Sequence, residues 1–173
     1  LNDAEAPIPV DQFDYILLLD VLEHLENPEE FVYNIRKLSK GKLPKIIISV
    51  PNIGWFTMRL QLLLGIFNYG ARGILDLGHR RLFTFSTIRA IFKQAGFKIT
   101  KSIGVPAPYP LAIGDNFISR ILIAINQGLI KVFPSLFSYQ IFLVTVPLPT
   151  VNELLQTSRD SSDKRIDEIS RIL

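Results

Sequence analysis

Residues 13–31 read FDYILLLDVLEHLENPEEF. The first seven, FDYILLL, form a short and nearly continuous apolar run, the pattern of a parallel strand covered by helices on both faces. Asn27 then stands at an N-cap position, Pro28 fits the first helical residue, and Glu30 completes a capping-box arrangement. Phe31, Ile35 and Leu38 follow at helical spacing, with Gly41 placed as the stop. A second apolar run, KIIISV at 45–50, predicts the next strand. Strand, helix and strand in that order predict an α/β fold with a parallel pair.

Working outward, a second helix is expected from Ser86 to Ala95, with Ile88, Ile91, Phe92 and Ala95 on one side and Gly96 as its end. Strands are expected at KITKSIG, 98–104, and QIFLVTV, 140–146, the latter rich in β-branched residues and closed by Pro147. These two are expected to pair antiparallel at a sheet edge. Residues 55–69 and 117–137 are apolar and of helical length, but their polar interruptions argue against membrane spans. They read either as lid-like or interfacial helices or as ordinary amphipathic cover for the sheet. From Asn152 the chain turns polar, so residues 151–173 are expected to form a tail or linker, a frayed helix at most.

The chain has 173 residues, enough for one domain with a substantial core. Its 48% hydrophobic content and mean hydropathy of +0.28 exclude a disordered chain and keep an apolar partner in view. A net charge of +3 from dispersed residues gives no basic stripe, so nucleic acid is not favoured. The absence of cysteine excludes disulfides, thiolate metal sites and thiol nucleophiles. No signal-peptide pattern is present, and the cytoplasm is the expected location, with peripheral membrane contact through the apolar stretches as a further expectation. Because the chain opens on Leu1 rather than methionine, it is expected to be part of a longer protein.

The chemistry-bearing residues gather at the exit of the first strand. In open α/β sheets ligands bind outside the carboxyl ends of the strands. Asp20 is at that end, and Glu23 and His24 follow three and four residues later, a spacing that lets all three side chains converge. The other histidine, His79 in GHRRLFTFS, precedes the second capped helix. Two imidazoles and two carboxylates above one crevice suit either a divalent metal or a general base beside a substrate hydroxyl. A capping acid and ordinary surface charges are the competing reading of the same residues. Arg72, Arg80 and Arg81 are open between recognition of an anionic acceptor and plain solvation.

Taken together, FDYILLLDVLEHLENPEEF, KIIISVPN and GHRRLFTFSTIRAIFKQAGF resemble the second half of a class I S-adenosylmethionine-dependent methyltransferase. The resemblance implies a Rossmann-like sheet of which strands 4 to 7 are present, over residues 1–150, with residues 105–138 as an apolar helical insertion. It implies that Asp3 and Ala4 lie where the family contacts the adenine of S-adenosylmethionine, and Asp20 beside the bound cofactor. Methyltransferases with DVLEH include small-molecule O-methyltransferases and small-RNA 2′-O-methyltransferases. In the latter, matching residues bind a divalent metal that polarises the accepting hydroxyl. Asp20, Glu23, His24 and His79 hold those positions here, aspartate standing where that subgroup has glutamate. Glu23, His24 and His79 are thereby the expected catalytic residues.

The family's first strand ends in a glycine-rich loop, yet no G-x-G occurs in this sequence. The expected function is methyl transfer from S-adenosylmethionine to an oxygen or nitrogen of a small or lipid-linked acceptor, with this chain expected to be an incomplete part of the enzyme. The alternative is a non-catalytic methyltransferase-like module that binds a partner or a membrane surface.

Overall fold

The computed structural model describes residues 10–39 and 43–170. Strand β1 (Tyr15–Leu19) leads through a single 3-10 turn (Leu22–His24) into α1 (Pro28–Leu38), and β2 (Lys45–Pro51) follows. Next come α2 (Phe56–Leu63), α3 (Phe85–Gln94) and β3 (Phe97–Val105). Helices α4 (Tyr109–Ile113), α5 (Phe117–Val132) and α6 (Pro134–Phe137) separate β3 from β4 (Gln140–Pro147), and α7 (Val151–Ser170) closes the described chain. The sheet order is β1-β2-β4-β3. β1 and β2 are parallel, with Leu18 opposite Ile48, whereas β4 runs antiparallel to both neighbours, β2 and β3. The two late strands thus pair as expected, with β3 at the edge and β4 inserted beside β2.

Local signals explain the helix ends. Asn27 Oδ1 accepts from the Glu30 amide at 3.1 Å while its Nδ2 donates to the Glu30 carboxylate, so the start of α1 is doubly held. The helix ends at Ser39, whose N–H bonds back to the Ile35 carbonyl, and Gly41 lies outside the described residues. Thr84 and Thr87 form a reciprocal cap on α3, and Gly96 ends it at φ +84°, a conformation that costs glycine nothing.

The core lies on one face of the sheet. Ile46, Ile48 and Val50 of β2 and Ile141 and Leu143 of β4 pack under Val32 and Ile35 of α1 and Ile88, Ile91 and Phe92 of α3. The α3 face agrees with its spacing, and on α1 Phe31 packs against the core beside the buried Val32 and Ile35, whereas Leu38 is exposed. The opposite face of β1 differs from the expected two-sided burial. Tyr15, Leu17 and Leu19 are each about half exposed or more, because no described helix covers that side. The chain beyond Asn152 is helical rather than a bare linker, with its described side chains exposed.

Candidate active site

β1 stops at Asp20, which adopts φ +53°, a left-handed conformation that aspartate tolerates better than most residues. Its amide donates to the Ser49 carbonyl, continuing the parallel ladder one residue past the strand. Its Oδ1 accepts from Ser49 Oγ at 2.9 Å and from Gln140 Nε2 at 3.1 Å. The carboxylate is thereby tied to the ends of two neighbouring strands. Sequence reasoning missed Ser49 and Gln140, although Ser49 is the one hydroxyl inside the apolar run KIIISV.

The chain then makes its 3-10 turn, which buries Leu22 in the core and Glu23 beside it. Glu23 is 1% exposed, and neither carboxylate oxygen has a hydrogen-bond partner among the described residues. Burial pushes its pKa from 4.5 up to about 7. Its own backbone N–H, outside hydrogen-bonding geometry, and His24 pull the value down, while the negative charge of Asp20 adds to the rise.

A distant loop completes the constellation. The Arg80 and Arg81 amides both donate to the Glu23 carbonyl, at 2.8 and 3.0 Å, while their guanidinium groups pair with Glu26 and Glu29. Both guanidinium groups are about half exposed, Arg80 pairing with the loop before α1 and Arg81 with its first turn. The loop lies against the His24 ring at Gly78, where a Cβ would stand in ordinary contact with His24 Nδ1 at 3.4 Å but only 3.1 Å from Asp76 Oδ1. His24 Nδ1 is 3.0 Å from the Gly78 carbonyl, and His79 Nδ1 is 2.9 Å from the Ile74 carbonyl. A carbonyl can only accept, so each Nδ1 carries a proton, and in the neutral imidazole Nε2 is the nitrogen with the lone pair.

The two rings meet edge to face with centroids 4.9 Å apart. One ligand atom each from Glu23, His24 and His79 fall within 4.8 Å of one another. Asp20 is outside that group of three but lines the same cleft of about 300 Å³, together with Arg72, Asp76 and Gln140. A second cleft, about 260 Å³, shares Arg72, Gly73 and Tyr139 with the first and is walled by Trp55, Met58 and Leu75. Asp3 and Ala4 lie outside the described residues.

Residues 2–102, more than half of the chain, match a family described as a methyltransferase domain. The chain belongs to that methyltransferase family. Its sheet is the Rossmann-like one of the class I S-adenosylmethionine-dependent methyltransferases. A methyltransferase structure from Thermotoga maritima superposes with a TM-score of 0.51 at 12% identity, over 78% of this chain and 56% of its own. A methyltransferase from Archaeoglobus fulgidus gives 0.45 at 20% identity, over 80% of this chain and 62% of its own. The small RNA methyltransferase HEN1 gives 0.48 at 17% identity, over 79% of this chain and 14% of its own. At these identities the likeness is one of fold, and this methyltransferase-family chain spans less than two thirds of each of those structures. No curated protein matches it.

Both groups that the family reading brings to the site can be tested against the residues present. S-adenosylmethionine carries a sulfonium and an ammonium, and the Asp20 carboxylate at the sheet exit is a fitting wall for such a cation. A divalent metal fits as well. The buried Glu23 carboxyl has no hydrogen-bond partner among the described residues, and both imidazoles are held by outer hydrogen bonds that leave Nε2 as the ligating nitrogen of the neutral ring.

Proposed function

We propose that this chain supplies the acceptor side of an S-adenosylmethionine-dependent methyltransferase acting on a hydroxyl of a small or lipid-linked molecule. Asp20 forms the cofactor wall, and Glu23, His24 and His79 hold a divalent cation where the acceptor oxygen comes to rest. When bound, the cofactor would offer an electrophilic methyl carbon on its sulfonium sulfur, which would leave as the neutral thioether, and the cation would lower the pKa of the accepting hydroxyl. The observation that carries this reading is Glu23. A carboxyl 1% exposed with both oxygens unpartnered is costly unless a proton or a cation satisfies it.

The rest of the site prepares the acceptor. Arg72, Gly73 and Tyr139 join the second cleft to the first, so an acceptor body lying against Trp55 and Met58 would present its hydroxyl to the histidines. Fixing the acceptor in this way supplies rate by making the transfer effectively unimolecular. In a second reading, favoured by the open Nε2 atoms, His24 or His79 takes the hydroxyl proton directly as the carbon–oxygen bond forms.

Completion of the cofactor site is expected from strands added along β1. Its free edge and the exposed Tyr15, Leu17 and Leu19 offer apolar surface for them. The deciding experiment is titration of the intact protein with S-adenosylmethionine and Mn²⁺, followed by assay of methyl transfer with and without a chelator. Loss of transfer on chelation supports the metal reading, and chelator-resistant transfer abolished by H24A or H79A supports the base. Absence of cofactor binding would leave the non-catalytic module as the function.

A further inference from the structure

Helix α5 is turned the wrong way for a helix that merely covers a sheet. Its inward side carries Ser119, Asn126 and Ile130, all buried, while Phe117, Ile118, Ile121, Ile125 and Val132 lie exposed along the other side. At 100° per residue those five fall on one continuous stripe, and Arg120, Gln127 and Lys131 form its polar border. Sixteen residues make that stripe about 24 Å long.

Buried hydrogen bonds set this orientation. Asn126 accepts from the Ala107 amide at 3.0 Å and donates to the Phe137 carbonyl at 2.8 Å. Ser119 and Asn116 cap the helix reciprocally. Ile130 packs over Gly104 of β3, where a Cβ would come within 2.9 Å of it. Rotating the stripe inward would strand Asn126 and two backbone groups, so the fold holds the apolar side out.

Charge identifies what meets it. From residue 82 to residue 152 the sequence contains Arg89, Lys93, Lys98, Lys101, Arg120 and Lys131 against a single acid, Asp115, which pairs with Arg120 and leaves the other five in excess. A second copy docked on the stripe would bring two such basic regions together, whereas an anionic surface is complementary to one. The strands expected along β1 belong to the opposite edge of the sheet from β3, the strand on which α5 rests. No described helix is long and apolar enough to cross a membrane.

We propose that α5 lies flat in the headgroup region of an anionic membrane, its Phe117–Val132 stripe toward the acyl chains and Lys131 at the lipid phosphates. This goes beyond the methyl-transfer reading and does not rest on it, because lipid binding is read without cofactor or acceptor. Flotation of the intact protein with phosphatidylcholine vesicles, with and without phosphatidylglycerol, is the test. The protein should float with the phosphatidylglycerol vesicles, less at high salt, and partitioning should fall about tenfold or more in I121Q/I125Q and also fall in K131E. If the glutamine pair proves unfolded by circular dichroism, I121A/I125A carries the same comparison. Failure to float with either vesicle, equal flotation of both, or undiminished flotation of the double variant would overturn the proposal. A lipid-free dimer dissolved by the double variant, with no flotation, would overturn it in favour of a second copy.

Discussion

The ring of His24, on the turn after β1, stands against the ring of His79, on the loop before α3, at an interplanar angle of 65°. Contacts on both sides hold them there: the Arg80 and Arg81 amides bind the Glu23 carbonyl, and the Gly78 carbonyl binds His24. The pair is therefore organised before any ligand arrives, and each ring offers the same nitrogen to the cleft.

That arrangement predicts a metal preference visible in the isolated protein. Mn²⁺ or Zn²⁺ should bind with one site per chain, and E23Q, H24A and H79A should each weaken binding by more than the roughly 10–100-fold typical of losing an outer-shell partner. Calorimetric titration checks this. Equal affinity in all three variants would remove the metal from the site.

The raised pKa of Glu23 predicts a pH dependence of stability in metal-free protein. Its folded value, about 7, exceeds the unfolded 4.5, so the folded state holds the extra proton between them. Stability from this group is complete below the unfolded value and falls as pH rises through about 7, by about 3 kcal/mol at most. Urea unfolding across that window should show the slope, and E23Q should flatten it. Metal affinity should move oppositely, rising as the proton leaves.

Asp20 can be separated into charge and backbone. D20N keeps a side chain that tolerates φ +53°, so stability should change little while S-adenosylmethionine binding weakens roughly tenfold. D20A adds about 1–2 kcal/mol of backbone cost to the same binding loss. Paired measurements of thermal midpoint and cofactor affinity distinguish them. Equal thermal midpoints for the two variants would show that the left-handed turn carries no strain.

Asn126 anchors α5 through two buried backbone partners, Ala107 and Phe137. N126A should cost about 2–4 kcal/mol, since both partners lose their bond away from water. N126L, which fills the space without the bonds, should remain destabilised. Urea denaturation of the three proteins reads the difference, and a wild-type midpoint in N126L would mean that shape alone seats the helix.

Much of this was legible from residue order. Apolar runs of strand length, Asn27 with Pro28, and Gly96 after a 3.6-residue stripe are local signals, and each element they predicted is present within a few residues. Asp20, Glu23 and His24 were readable as one group because a strand exit and a tight turn keep near neighbours together. His79 was legible from its place in the loop before the second capped helix, and the family resemblance put it at the same crevice. Nothing in the spacing says that His79 will present Nε2 rather than Nδ1.

Short-range chemistry in the chain thus accounts for the strands, the helix caps and the acid–histidine cluster on one turn, since all depend on residues a few positions apart. Folding in three dimensions set the rest: which nitrogen each imidazole exposes, that Glu23 is dry, and that α5 shows its apolar side to the outside. Those properties depend on carbonyls and amides contributed by distant segments, and a linear pattern carries no record of which backbone groups will face one another.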